Sequence, residues 1–255
     1  MRLGFPAQSF ARLAAREDRN YWFRARNRLI VWALGRHFQV LRDYLEVGCG
    51  TGYVLSAVEA AFPSAMTVGG EAHRAGLEYA ARRVRRSRLL QIDAASIPFR
   101  DAFDAIGCFD VLEHIEDDGR VLAECFHALR RGGGIVLTVP QHPFLWSASD
   151  EYALHVRRYT RAELLGKLRL AGFRPVLVTS FVALLLPAML AARARQRQLD
   201  AVYDPEAEFA VGRVANALLE GVLDFERQLI RLGLRFPFGG SLLIVAKKPD
   251  VDSVQ

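Results

Sequence analysis

The clearest chemical signal in the sequence is a glycine-rich turn that follows a short apolar run. Gly48, Gly50 and Gly52 occupy alternate positions directly after residues 44–47, and a helical pattern begins behind them. Glycine permits positive φ and lets a ligand lie against the backbone, where the N–H groups of a helix start point toward it. The spacing is G-x-G-x-G, which matches neither a dinucleotide fingerprint nor a Walker loop, so pyrophosphate and triphosphate ligands are disfavoured.

Acidic residues follow the next apolar runs. Glu71 stands just past the second run, where a carboxylate can accept hydrogen bonds from both hydroxyls of a ribose, and Asp93 follows the third run. Asp110 ends the fourth run. Because the carboxyl ends of parallel strands meet at one edge of a sheet, these acids predict a ligand site at that edge.

Two segments with histidine supply candidates for proton transfer. His114 follows the fourth run, and His155 lies past the fifth run, close to Tyr159. Imidazole titrates near neutral pH and can take a proton within hydrogen-bond reach, so we predict these three residues to be catalytic. The structural alternatives are that His114 supports the next helix and that the second segment clasps a loop. In such a clasp Arg158 pairs with a helix carboxylate and the tyrosine packs under it.

Along the chain, short apolar runs alternate with segments of helical periodicity. This alternation predicts an α/β fold with a mostly parallel sheet and helices on both faces. We predict seven strands, near residues 44–47, 66–69, 89–92, 103–109, 135–139, 176–179 and 242–246. The last strand is expected to lie antiparallel to the sixth. Outside the alternation are a helical N-terminal segment and a helical insertion before the last strand. The insertion is predicted to hold helices near 181–192 and 211–232, with a polar stretch at 200–208 between them.

The composition excludes several classes of protein. The chain has 255 residues, of which 51% are hydrophobic and 24% charged, with a net charge of +6. This is an ordinary globular composition, which excludes a disordered, collagenous or coiled-coil chain. Three cysteines are too few and too scattered for a disulfide framework or a paired CxxC zinc site, which favours a reducing compartment. The N-terminal residues lack the apolar core of a signal peptide, so we expect a cytoplasmic protein.

Residues 175–192 carry no charged side chain. The length of this stretch is at the lower limit for a membrane-spanning helix. The β-branched residues at the start of this stretch, and Pro187 within it, instead predict a strand followed by a short apolar helix. A basic flank that suits an anionic membrane surface follows directly, made of Arg193, Arg195 and Arg197. Five uses of the apolar helix stay open: burial in the core, a peripheral membrane contact through 181–197, the lining of a pocket for an acyl or prenyl chain, a lid, and a homodimer contact.

Taken together, the motifs resemble the class I S-adenosylmethionine-dependent methyltransferases. The matching segments are LEVGCGTG, Glu71, IDAASIPF, FDVLEHI and RRGGGIVLTVP, and the resemblance covers about residues 44–173. It implies a Rossmann-like fold and S-adenosylmethionine as the cofactor, with the glycine loop on its methionine part, the first acid on the ribose and the second on the adenine. The cofactor-binding residues implied in this way are Glu46, Gly48, Cys49, Gly50, Gly52, Glu71, Asp93, Ala94, Phe109 and Asp110.

The resemblance also implies a domain organisation. We expect an N-terminal helical cap at 1–40, a cofactor-binding core at 41–180, a helical insertion at 181–238 and the final strand of the core at 239–249. In similar sequences a segment like Tyr21-Trp22-Phe23-Arg24 belongs to a helix that closes over the cofactor. The alternative is that these aromatic side chains anchor the helix on the sheet.

Asp110, Glu113 and His114 resemble a metal-binding motif of some methyltransferases that act on catechol-like lipids and on RNA ends. Those families have Glu at the position of Asp110, and many relatives with a Glu-His pair are not known to use a metal. Carboxylate and imidazole suit several divalent ions. We predict no metal at this site.

The function expected from the resemblance is transfer of a methyl group from S-adenosylmethionine to a small-molecule or lipid-linked acceptor, directed to oxygen. One alternative is an RNA-modifying methyltransferase, which the positive net charge would permit. The basic residues are scattered, however, so no nucleic-acid partner is expected. A second alternative is a noncatalytic partner protein that binds S-adenosylmethionine. An NAD-linked oxidoreductase is disfavoured by the glycine spacing.

Overall fold

The computed structural model describes residues 5–6, 9–198 and 211–250, with the side chains among them except those of 194–198. The polar stretch predicted at 200–208 lies outside the described residues. Seven strands form one sheet. In chain order they are β1 (Asp43–Val47), β2 (Met66–Glu71), β3 (Arg88–Gln91), β4 (Phe103–Phe109), β5 (Leu129–Pro140), β6 (Arg174–Phe181) and β7 (Ser241–Lys247).

The strands are arranged in the order β3-β2-β1-β4-β5-β7-β6. Strands β1 to β5 pair in parallel, and β7 lies antiparallel between β5 and β6, which confirms the predicted mostly parallel sheet with an antiparallel last strand. Val47, the last residue of β1, is in register with Gly70 of β2 and Cys108 of β4. The carboxyl ends of these three strands therefore lie at one edge, where the strand order reverses and open α/β sheets bind ligands.

Helices cover both faces of the sheet, as predicted. The α-helices of the described residues are α1 (Ser9–Arg16), α2 (Tyr21–His37), α3 (Tyr53–Ala61), α4 (Arg74–Arg83), α5 (Asp118–Ala128), α6 (Ala148–Tyr152), α7 (Arg161–Leu170), α8 (Leu186–Gln198) and α9 (Arg213–Arg231). Buried side chains of α2, α3 and α9 pack with Tyr44 and Val136 on one face, whereas those of α5 and α7 pack with Leu45 and Ile135 on the other. Neighbouring strand residues serve opposite faces because successive side chains of a strand alternate.

The chain after β6 differs from the helix predicted at 181–192. Phe181 is the last residue of β6 and pairs with Ser241 of β7, and α8 begins only at Leu186. The strand is longer than predicted because β7, far along the sequence, supplies its pairing partner. Pro187 lies in the first turn of α8, where its missing N–H removes no helical hydrogen bond. None of the helices within the described ranges combines the length and apolarity needed to cross a membrane.

The turn before α8 is held by a buried carboxylate of α9. Glu226 is 1% exposed, and it accepts hydrogen bonds of 2.8 Å from the N–H groups of both Ala183 and Leu184. Burial raises the pKa of Glu226, although these N–H groups oppose the shift. The carboxylate thereby ties the two described parts of the predicted insertion to each other.

Helix α2 packs against both the sheet and α9. Arg28 of α2 binds Glu220 and Asp224 of α9 at 2.7 and 3.0 Å, and the N–H of Tyr21 donates to the side chain of Asn216 at 2.9 Å. Trp22 packs against the core cluster that α2 and α9 share. These contacts favour the interpretation of residues 21–24 as anchors of the helix over the interpretation as a cover of the cofactor.

Candidate active site

The glycine loop joins β1 to α3 at the carboxyl edge of the sheet. Gly48, Gly50 and Gly52 have φ values of 70°, 52° and 76°, which side chains other than glycine rarely adopt. A Cβ atom at Gly52 would lie 2.9 Å from the backbone of Ala80 in α4, and one at Gly48 would overlap the side chain of Val111. Glycine is therefore required by both conformation and space, and the loop adopts the turn that its sequence predicts.

Glu71 connects the end of β2 to the glycine loop. Its Oε2 accepts the N–H of Gly50 at 3.0 Å, and its Oε1 accepts the N–H of His73 at 2.9 Å. The residue is 7% exposed. Each carboxylate oxygen has a second lone pair, so Glu71 keeps the capacity to accept from two ligand hydroxyls. The predicted ribose-binding residue therefore stands beside the predicted glycine loop.

Phe10 of α1 covers the glycine loop, and sequence reasoning did not identify it. Its ring is the nearest described group to a Cβ placed at Gly50, at 3.8 Å, and it packs against the ring of His73 at 5.6 Å between centroids. The hydroxyl of Ser9, beside it, is buried without a hydrogen-bond partner among the described residues. An apolar cover, an unused hydroxyl and the carboxylate of Glu71 fit the adenosine part of S-adenosylmethionine.

Glu46 and Cys49, both predicted to bind the cofactor, have buried side chains, 3% and 5% exposed. The carboxylate of Glu46 accepts the hydroxyl of Tyr44 at 3.1 Å and the N–H of Leu55 in the first turn of α3. Burial raises the pKa of Glu46 to about 8. Near Cys49, a Cβ built at Gly69 would lie 3.0 Å from the sulfur, which places the thiol against β2. Both side chains support the loop from within the core.

Asp93 and Ala94 follow β3 at the same edge of the sheet. Asp93 Oδ1 accepts the N–H of Ala95 at 2.9 Å, and this bond fixes the turn. Ala94 is buried in the core cluster on the face covered by α5 and α7. The implied adenine contact needs a carboxylate oxygen that can accept a hydrogen bond from the adenine amino group. The second carboxylate oxygen of Asp93 can do so, and the turn fixes the position of the carboxylate.

Asp110 is held by an ion pair that the sequence did not predict. Its Oδ2 lies 2.5 Å from Nη2 of Arg26 in α2, and its Oδ1 accepts the hydroxyl of Thr138 at 3.2 Å. Arg26 is 7% exposed and lies on the ring of Trp22. The sequence feature that could have indicated this ion pair is an arginine among the apolar residues of α2. Asp110 therefore anchors α2 to the end of β4, and Phe109 beside it is buried in the core.

The structure brings His114 and His155 together. Their ring centroids are 4.7 Å apart, and ligand atoms of both rings and of Glu113 all lie within 4.8 Å of one another. The N–H of Val156 donates to the carbonyl of Glu113 at 2.7 Å, which joins the two loops. Glu113 is fully buried, and burial, with the charge of Asp110, holds its pKa well above the usual range.

Asp150 orients His155, and sequence reasoning missed it. Its Oδ1 lies 2.9 Å from Nδ1 of His155 and accepts the Nε–H of Arg158 at 2.8 Å, while its Oδ2 accepts the N–H of Ser147 at 2.9 Å. Burial alone would raise the pKa of Asp150, but the bond to His155 and the charge of Arg158 lower it to about 2. The available signal was the capping box Ser147-x-x-Asp150 at the start of α6.

The position of Tyr159 corrects its predicted catalytic role. The side chain is fully buried, and its hydroxyl donates to Asp118 of α5 at 2.7 Å. Burial and this carboxylate raise the pKa of Tyr159. Arg157 also pairs with Asp118, and Arg158 pairs with Asp150 of α6. The hydroxyl and guanidinium groups of the segment after His155 thus bind helix carboxylates and hold the loop in place. This is the structural alternative to a catalytic role that the sequence left open.

Comparisons with known proteins find that this chain is similar to methyltransferases. Residues 45–137 match a family described as a methyltransferase domain. A protein of Mycolicibacterium smegmatis described as a probable S-adenosylmethionine-dependent methyltransferase is 31% identical over 159 residues, or 61% of this chain and 60% of that protein. A protein of Mycobacterium tuberculosis with the same description is 29% identical over 157 residues, or 60% of this chain and 56% of that protein. The chain thus spans less than two thirds of the length of these curated relatives.

A solved structure shows the same fold at lower sequence identity. The [4+2]-cyclase SpnF superposes with a TM-score of 0.61 and is 22% identical, and the match covers 91% of this chain and 84% of that one. At this identity the likeness concerns the fold alone, which several activities share. The chemistry of this chain therefore depends on the residues of its own site.

Proposed function

We propose that this chain is a class I S-adenosylmethionine-dependent methyltransferase that methylates an oxygen of a small-molecule or lipid-linked acceptor, because residues 45–137 match a methyltransferase domain family and a curated relative is described as such an enzyme. The observation that carries the proposal is Glu71, whose carboxylate is bonded to the glycine loop at the edge of the sheet where the two histidines also lie. The residues proposed to bind the cofactor and the acceptor thus follow the carboxyl ends of strands β1 to β5.

S-adenosylmethionine, when bound, supplies a methyl group activated by a positively charged sulfur. The chain's own task is to hold the reactants in line and to exclude water. Glu71 would accept hydrogen bonds from the ribose hydroxyls, and Asp93 would accept from the adenine amino group. Phe10 covers the glycine loop and keeps water from it. Glu46 supports the loop from beneath by binding the N-terminus of α3.

Methyl transfer to a hydroxyl requires removal of its proton. His114 and His155 are the residues of this chain proposed to assist that step as a general base. Since Nδ1 of His155 faces Asp150, Nε2 is the nitrogen left for the acceptor. A buried carboxylate behind an imidazole fixes the tautomer and stabilises the protonated ring. The acceptor oxygen is therefore proposed to lie against these rings, where an imidazole, or a cation held by it, favours the loss of the proton.

Exposed aromatic side chains support an acceptor with an apolar part. In the loop after β5, the ring of His142 stacks with the rings of Phe144 and Phe238, with centroids 4.9 and 5.6 Å away. Both phenylalanines are 60% exposed, and the N–H of His142 donates to the carbonyl of Tyr159 at 2.9 Å. This apolar surface therefore adjoins the segment that carries His155. Apolar surface of this kind marks ligand grooves.

The test is calorimetric titration of the full chain with S-adenosylmethionine and, separately, with NADH. We expect binding of the first alone and its loss in Glu71→Ala, because two charge-assisted hydrogen bonds are removed. Glu78→Ala is the matched control, since this exposed carboxylate of α4 forms a surface ion pair with Arg74. A screen of hydrophobic alcohols and phenols then identifies the acceptor. Failure of the wild-type chain to bind S-adenosylmethionine contradicts the proposal.

A further inference from the structure

Three side chains in the loops that follow β4 and β5 have the composition of a metal centre. Glu113, His114 and His155 each place one ligand atom within 4.8 Å of the others. Bonds from zinc to nitrogen or oxygen are roughly 2.0–2.2 Å long, so ligands of one ion lie about 3–4 Å apart. The spacing of up to 4.8 Å would therefore shorten when an ion binds. Two imidazoles and one carboxylate suit divalent transition metals such as zinc, iron and manganese.

The carboxylate of Glu113 is the strongest sign of a missing partner. It is fully buried, and neither of its oxygens has a hydrogen-bond partner among the described residues. Burial of a carboxylate without a donor or a cation is costly, so such groups usually have a partner in folded proteins. A cation bound between Glu113 and the two imidazoles would supply that partner.

The surroundings of His155 are those of a metal ligand. A histidine that binds a metal through one nitrogen usually donates its other N–H to a carboxylate or carbonyl, which fixes the ring. Asp150 takes this role at Nδ1, and it is itself held by Arg158 and Ser147. The orientation of the ring is therefore set before any ligand arrives. Asp110 is not part of the set because Arg26 pairs with it.

In place of the expectation from the sequence that no metal binds here, we propose that Glu113, His114 and His155 bind one divalent transition-metal cation. Three protein ligands leave at least one coordination position open, as in catalytic rather than structural zinc sites. An acceptor oxygen bound at that position would have a lowered pKa, as metal-bound water does. Binding of the cation is independent of methyl transfer, whereas its use on an acceptor rests on the function proposed above.

The test uses the tag-free full chain after chelator treatment and dialysis. It is titrated with Zn²⁺ alone by calorimetry, and with Co²⁺ alone by visible absorption, which reports nitrogen ligation. We expect one equivalent of metal and cobalt bands typical of histidine ligands. Glu113→Gln and His155→Ala should abolish the bands, and Asp150→Asn should weaken binding roughly 10–100-fold. His127→Ala, which removes an exposed histidine of α5, should change nothing.

Near-UV circular dichroism checks that each variant is folded. If a variant does not fold, the wild-type cobalt spectrum still decides whether histidine ligates the metal, and the remaining variants locate it. A folded wild-type chain without cobalt bands, or bands that persist in both ligand variants, would overturn the proposal. Titration of the metal-free chain with S-adenosylmethionine separates the two proposals, since that binding depends on Glu71 and not on these three residues.

Discussion

The Nδ1 atom of His155 lies 2.9 Å from Oδ1 of Asp150, a carboxylate that is 1% exposed. This bond fixes the orientation of the imidazole and leaves Nε2 as the ring nitrogen available to a ligand. It also explains why Asp150 stays ionised although it is buried, since His155 and Arg158 both stabilise the charge.

Asp150→Asn should therefore destabilise the fold in a pH-dependent way. The pKa of Asp150 is lowered from 3.8 to about 2, so its stabilising contribution is complete above about pH 4 and is lost as the pH falls through about 2. We expect the free energy of unfolding to drop by about 2 kcal/mol at pH 7, with the difference shrinking toward pH 2. Urea unfolding at pH 7, 4 and 3 measures this. An equal difference at every pH, or an equal loss in the exposed neighbour variant Glu151→Gln, would contradict it.

Gly52→Ala should destabilise the chain, because alanine at a φ of 76° costs about 1–2 kcal/mol before the contact with Ala80 is counted. Gly166→Ala in α7 is the matched control, since a Cβ there meets nothing within 4 Å. The control should be stabilised by roughly 0.5–1 kcal/mol, as expected for glycine in a helix interior. Urea unfolding of both variants is the measurement, and equal effects in the two would refute the argument.

Arg26→Met should cost about 3 kcal/mol, because it leaves the carboxylate of Asp110 without its cation in a partly buried position. Arg24→Met, which removes a more exposed arginine paired with Glu220, should cost less than about 1 kcal/mol. Adding Asp110→Asn to Arg26→Met should recover part of the loss, and a double-mutant cycle measures the coupling. Additive single effects would show that the ion pair does not hold α2.

Phe238→Ser should raise KM for an apolar acceptor by roughly tenfold with little change in kcat, because it removes apolar surface that binds ground state and transition state alike. Phe225→Ser on α9 is the control, since Phe225 is equally exposed, at 60%, and has no stacking contact with His142. Steady-state kinetics with the acceptor found in the screen compares the two. Equal KM values in both variants would remove Phe238 from the acceptor site.

The sequence by itself determined the features that depend on local rules. Glycine spacing after an apolar run sets the loop between β1 and α3, and an acid placed just past a parallel strand must lie at the carboxyl edge of the sheet. The alternation of runs predicts the order of strands and helices for the same reason, since periodicity is a property of neighbours along the chain. The positions of Gly52 and Glu71 therefore follow from residue types and spacing.

Tertiary structure alone decided which distant side chains meet. Arg26 reaches Asp110, and Tyr159 turns to Asp118, because packing of helices on the sheet brings together segments far apart in sequence. Phe181 is part of a strand because β7 pairs with it. Such outcomes depend on the balance of burial and pairing over the whole fold, which residue types and spacing do not contain. For that reason the sequence predicted two histidines at this edge, and only the structure showed Asp150 behind one of them and the buried carboxylate of Glu113 beside them.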